Sequence, residues 1–196
     1  LYKFLKKEKN VDLADYETSP NVDSLMKEID TFGLFKHVAE LEAYGMTVVP
    51  PETIGATPEF VERLRGAIID TCEKRNNIKI GDYREAKASP EKTGKNSWYL
   101  MEEDEVFVEA ATNPRMMALV RWLCGQSATL TGHTWIMKPE GGEGLGLHSD
   151  QHGIPPGGGH IAHAANASWL CTDYNGKEDG PTVFVPGSHR YGRTTL

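Results

Sequence analysis

Leu145-Gly-Leu-His148-Ser149-Asp150-Gln-His152-Gly153, followed by Gly180-Pro-Thr-Val-Phe-Val-Pro186-Gly-Ser-His189-Arg190, decides how this chain is read. In extended backbone, residues two apart point to the same face. An imidazole at His148 and a carboxylate at Asp150 can therefore reach a single metal ion side by side. Two histidines and one carboxylate on one face of an octahedron make the open facial triad of non-haem Fe(II) oxygenases, and His148 with Asp150 would be two of its three members. A surface ion pair is the plain alternative for the same spacing.

The segments around this pair form an ordered series. Met137-Lys138-Pro139 precedes it. Ala167-Ser-Trp169-Leu and the Gly180 to Arg190 run follow. Ala128–Met137, Ala167–Tyr174 and Thr182–Val185 carry the alternation or β-branched content of strands closed by turn residues. Gly141-Gly142-Glu-Gly144 is a turn and not a phosphate loop, because no GxGxxG or Walker spacing follows and no helix is expected to open there.

In this order the motifs resemble the phytanoyl-CoA dioxygenase-like family of Fe(II)/2-oxoglutarate oxygenases. The resemblance implies a double-stranded β-helix, a cupin-like jelly roll, with N-terminal helices on its major sheet: a mainly β core in an α+β chain. It also implies Fe(II), 2-oxoglutarate as co-substrate and O2, with His148 and Asp150 as catalytic metal ligands. Trp169 would pack beside 2-oxoglutarate, and Thr134 would fall where a family member contacts it. The third ligand would be a histidine on a later segment beyond Leu196, with an arginine further on to grip 2-oxoglutarate; His189 is the runner-up within the chain. Related halogenases lack the carboxylate, so Asp150 argues for hydroxylation.

By this reading the chain is a single oxygenase domain covering only the N-terminal part of the jelly roll. Residues 1–45 would be an arm and helices, 46–126 a strand and scaffold helices, and 127–196 the first jelly-roll strands. Two other classes compete: a cupin-like metal-binding or isomerase domain without 2-oxoglutarate, and a non-catalytic binding domain.

Upstream, the pattern is helical. Asn21 is expected to cap a helix burying Val22, Leu25, Met26 and Ile29, and Leu34 to Tyr44 a second one that stops at Gly45. Thr57-Pro58 opens a third through Phe60, Leu64, Ala67, Ile68 and Cys72. Glu105–Ala111 and Asn113–Leu123 make two more. Met46–Val49 and Trp98–Leu100 read as short strands, and residues 76–95 as a long surface excursion.

The Gly153 to Ala164 segment, with Gly157-Gly158-Gly159 at its centre, reads as a mobile mouth whose His152, His160 and His163 face substrate. A separate zinc site built from these imidazoles and His148 is the alternative, although structural zinc normally uses cysteines. The bulk numbers fit a small-molecule enzyme: 196 residues with a net charge of −7 and no basic stripe make nucleic acid an unexpected partner. No apolar run is long enough for a membrane span and no signal-peptide core opens the chain. With three scattered cysteines set among apolar neighbours, a reducing, cytoplasmic location is expected. Nothing here fixes the substrate or the oligomeric state.

Overall fold

The computed structural model describes residues 20–82, 96–138, 144–150, 158 and 161–191. The expected arm over 1–19, most of the 76–95 excursion, His152, His160, Pro155 and Pro156 lie outside the described residues.

Six α-helices organise the first two thirds: α1 Pro20–Thr31, α2 Phe35–Tyr44, α3 Pro51–Ile54, α4 Pro58–Asn76, α5 Glu105–Ala111 and α6 Pro114–Cys124. Their ends follow from local chemistry. The Thr57 hydroxyl accepts the Phe60 N–H at 3.1 Å ahead of Pro58, and the Asn113 side chain accepts Arg115 and Met116 N–H groups at 3.0 Å ahead of Pro114. Each supplies an acceptor to backbone donors that the first helical turn leaves unpaired. Asp104 caps α5 the same way, through Val106 N–H at 2.8 Å. Gly45 closes α2 at φ 77°, its N–H on the Leu41 carbonyl. The first helix begins at Pro20, so Asn21 lies inside its first turn and not ahead of it.

Helix α3 was not anticipated, and its stability is not local. A single turn cannot repay its own nucleation. Here the Arg115 guanidinium donates to the Glu52 and Thr53 carbonyls at 3.2 and 3.0 Å, and Asn113 Nδ2 donates to the Ile54 carbonyl at 3.1 Å. These donors come from α6, far along the chain.

Two apolar clusters hold the helices together. One joins Leu25 and Ile29 of α1, Leu34, Val38 and Leu41 around α2, and Ala118 and Leu119 of α6. The other joins Phe60, Leu64, Ala67 and Cys72 of α4 to Val106, Phe107 and Ala110 of α5, with Ile80, Leu100 and Trp135. Burying a side chain such as Ile29 or Phe107 stabilises the fold by about 1.5–3 kcal/mol each. Val22, expected on the buried face of α1, is exposed.

The sequence leads one to expect a jelly roll; the structure is helical, with no β-strand among the described residues. The segments 46–49, 128–138, 161–171 and 181–185 do run without helix. However, the backbone hydrogen bonds outside the helices include no ladder between any two of them, and a strand exists only through the ladder it makes with a neighbour. Apolar alternation sets which face of a segment is buried; it does not by itself supply a partner. The alternation itself survives. Trp135 is buried and Met137 packs on the α4–α5 cluster, while Leu130 and Ile136 of opposite parity stay exposed.

The two short expected strands are replaced by side-chain ties. Thr47 is held to α2, its hydroxyl donating to Glu40 at 2.5 Å and lying 2.7 Å from His37 Nδ1. Residues 96–99 form a turn with Asn96 and Tyr99 at positive φ, wrapped on Arg75. That guanidinium donates to the carbonyls of Asn96 at 2.6 Å and Tyr99 at 3.2 Å, and to Trp98, while pairing with Glu103 at 2.9 Å. A left-handed Tyr99 cannot continue an extended run, so a 3-10 turn over Leu100–Glu102 follows. No helix among the described residues is long and apolar enough to cross a membrane.

Candidate metal centre

Local sequence places His148 and Asp150 together, as their spacing requires. His148 Nε2 stands 3.2 Å from Asp150 Oδ1, and both side chains are about half exposed, at 43% and 55%. The other ring nitrogen, Nδ1, is 2.7 Å from the Gly146 carbonyl. A carbonyl only accepts, so Nδ1 carries the proton in that contact. In the neutral imidazole, Nε2 is then a bare lone pair facing a carboxylate oxygen. Two such groups converge only around positive charge, either a proton on the ring or a cation held between them.

The separation suits a cation. Ligand bonds of about 2.0–2.2 Å to a hard or borderline divalent ion, set at a right angle, put two donor atoms about 3 Å apart. Nitrogen plus carboxylate is the mixed donor set found in open iron sites. Among the described residues no three His, Cys, Asp or Glu side chains form a metal-holding group.

One partner of the pair carries no metal-ligand signature in sequence. Asn166 Nδ2 donates to Asp150 Oδ2. The residue sits on the 161–171 segment, three before Trp169, and in extended backbone an odd offset puts the two on opposite faces. Trp169 indeed turns to the scaffold: its indole N–H donates to the Ala110 carbonyl of α5 at 3.2 Å and its ring meets Phe60 edge-on at 5.1 Å. These contacts are with helices, not with the His148–Asp150 pair.

The remaining candidates are dispersed. Thr134 lies on the exposed parity of its segment, its hydroxyl 3.3 Å from the Trp135 carbonyl. Lys138 Nζ donates to the Gly180 carbonyl and sits 5.5 Å from the Tyr174 ring centroid, joining the Lys-Pro motif to the Gly-Pro motif. His163 Nε2 is 3.0 Å from the Gly158 carbonyl. His189, the runner-up ligand, is seated elsewhere. Its Nε2 accepts the Arg190 Nε–H at 3.3 Å, and its ring lies against Gly45 at the end of α2, where an added Cβ would meet Nδ1 at 2.4 Å.

Burial is the main cause of the shifted titration of three thiols and one imidazole. Burial pushes the Cys72, Cys124 and Cys171 thiols up, away from the reactive thiolate. Burial pushes His133 down; its ring packs edge-on to Phe107 at 5.7 Å, and its Nδ1 is buried without a hydrogen-bond partner. Desolvation disfavours the charged imidazole in such a place.

Residues 41–195 match the family model described as phytanoyl-CoA dioxygenase. A curated protein of Aspergillus fumigatus, "Dioxygenase af480", is 30% identical over 94 residues, which is 48% of this chain. The alignment spans 30% of that relative's length. No solved structure matches.

Proposed function

The chain belongs to the phytanoyl-CoA dioxygenase family, and from that membership we propose that it is part of an Fe(II)- and 2-oxoglutarate-dependent dioxygenase that hydroxylates a small organic molecule. The observation that carries this reading is the approach of His148 Nε2 to Asp150 Oδ1 at 3.2 Å, with Nδ1 on the Gly146 carbonyl. His148 would bind through Nε2, held in the required tautomer by the Gly146 carbonyl, because a proton fixed on Nδ1 leaves Nε2 free. Asp150 would bind through Oδ1 and supply the anionic charge that a hard divalent ion demands. A third ligand would come from outside the described residues.

Iron with bound 2-oxoglutarate supplies the activation of O2; the protein's part is to hold ligands, orient the substrate C–H bond and exclude water. Thr134 is proposed for a co-substrate contact by family position. Trp169 would act on the co-substrate wall through the packing it enforces, since its indole is anchored to Ala110 and Phe60. His152, His160 and His163 are proposed on the substrate side, and the compartment proposed is the cytoplasm.

Asp150→Ala tests the reading. In the full-length protein it should cut Fe(II) affinity at least about tenfold and product formation by about a thousandfold or more, about 4 kcal/mol in the barrier. Unchanged turnover would refute the assignment. Anaerobic titration with Fe(II) and then 2-oxoglutarate should raise a metal-to-ligand charge-transfer band; metal binding without that band would favour the cupin-like alternative.

A further inference from the structure

We infer that Asn166 is a positioning residue for the metal-binding carboxylate, holding Asp150 so that only Oδ1 is offered to the metal. The inference rests on the reading of His148 and Asp150 as ligands and adds a residue to it. A carboxylate has two oxygens and can chelate through both. Here they are distinguished: Oδ1 faces His148 Nε2, whereas Oδ2 accepts the Asn166 amide. An amide N–H cannot bind a cation, so the Oδ2 lone pair it occupies would not be offered to one, which leaves Oδ1, beside His148 Nε2, as the better placed donor.

One-oxygen binding matters because an octahedral ion has six positions. With three protein ligands and a two-toothed co-substrate bound, one position would be left for O2, and an Asp150 that offered both oxygens would compete for it.

The arrangement treats both ligands alike. His148 is fixed through its far nitrogen by Gly146 and Asp150 through its far oxygen by Asn166, the outer contacts that orient metal ligands. Asn166 is itself well placed to transmit rigidity. Its segment is pinned to α5 through Trp169 and to α4 through Arg65, whose Nη1 donates to the Cys171 carbonyl at 2.8 Å. In extended backbone the odd offset from Trp169 would put the Asn166 side chain on the face away from that ring. The helical scaffold thereby reaches the carboxylate through one short length of extended chain, although no helix touches it in these contacts.

The test is Mn(II) binding to the full-length protein, followed by the spin-resonance signal of the free ion, in wild type, Asn166→Ala, Asn166→Gln and Asp150→Ala. Asn166→Ala should weaken Mn(II) about tenfold, the lower end of what loss of an outer-shell partner costs. Its thermal midpoint should stay within about 2 °C of wild type, because an exposed side chain contributes little to stability. Asn166→Gln keeps the amide donor and should recover a clear part of the loss.

If Asn166→Ala binds Mn(II) within twofold of wild type while Asp150→Ala does not, the inference fails and the metal site stands. If Asp150→Ala also binds normally, the site reading fails and the inference with it. Loss in Asn166→Ala with no recovery in Asn166→Gln, or with a large drop in thermal midpoint, would also overturn it.

Discussion

The helical region, the described residues of 20–124, and the extended region, the described residues of 128–191, solve the same backbone problem by opposite means. Each helix pairs its N–H and C=O groups within itself and leaves only its ends to be satisfied. Caps at Thr57, Asp104, Asn113 and Gly45 do that from nearby sequence. The extended segments cannot pair internally. Among the described residues they exchange no ladder bonds and hang on side-chain ties, Trp169 to Ala110, Arg65 to Cys171 and Lys138 to Gly180. The stable half contains no member of the proposed metal pair; the loosely tied half contains both. Order in the site is therefore borrowed from the helices.

This contrast can be broken by substitution. Phe107→Ala removes a fully buried ring from the α4–α5 cluster and should lose about 3–5 kcal/mol in denaturant unfolding; a loss below about 1 kcal/mol would mean the helical half is not where stability resides. Trp169→Ala cuts a tie between the two regions and should lose less, about 2–3 kcal/mol, because its ring is only partly buried. It should also weaken Mn(II) binding, since Asn166 shares its segment. An unaltered metal affinity would show that the site does not depend on the scaffold.

Thr57→Ala deletes the α4 cap and should lose about 1 kcal/mol, detectable as earlier exchange of the Phe60 amide. The smallest effect belongs to the extended half. Val183 is 72% exposed, and Val183→Ala should change stability by less than about 0.5 kcal/mol; a value like that of Phe107→Ala would reveal a partner for this segment.

What could be read in the sequence divides along the same line. The helices α2, α4, α5 and α6 were legible because caps and apolar spacing are both local signals. Helix α3 was not, since Arg115 and Asn113 hold it from a distance. The alternation of 128–137 was legible, but alternation says nothing about a pairing partner, and the expected jelly roll failed there. The pairing of His148 with Asp150 was legible because residues two apart in extended chain share a face. Asn166 was hidden: an amide has no ligand signature, and it lies sixteen residues from Asp150. Its parity opposite Trp169 was the one available hint.

The contact between Gly45 and His189 has an evolutionary reading. A positive φ alone would still admit asparagine, as Asn77 shows after α4. The imidazole lying where a Cβ would stand removes that freedom too. Positions 45 and 189, distant in sequence, are thus joined: an added Cβ at 45 would stand 2.9 Å from the Cβ of residue 189 as well as against its ring, so trimming 189 to alanine does not make the room. Among descendants of this chain, glycine should persist at 45 whichever side chain stands at 189.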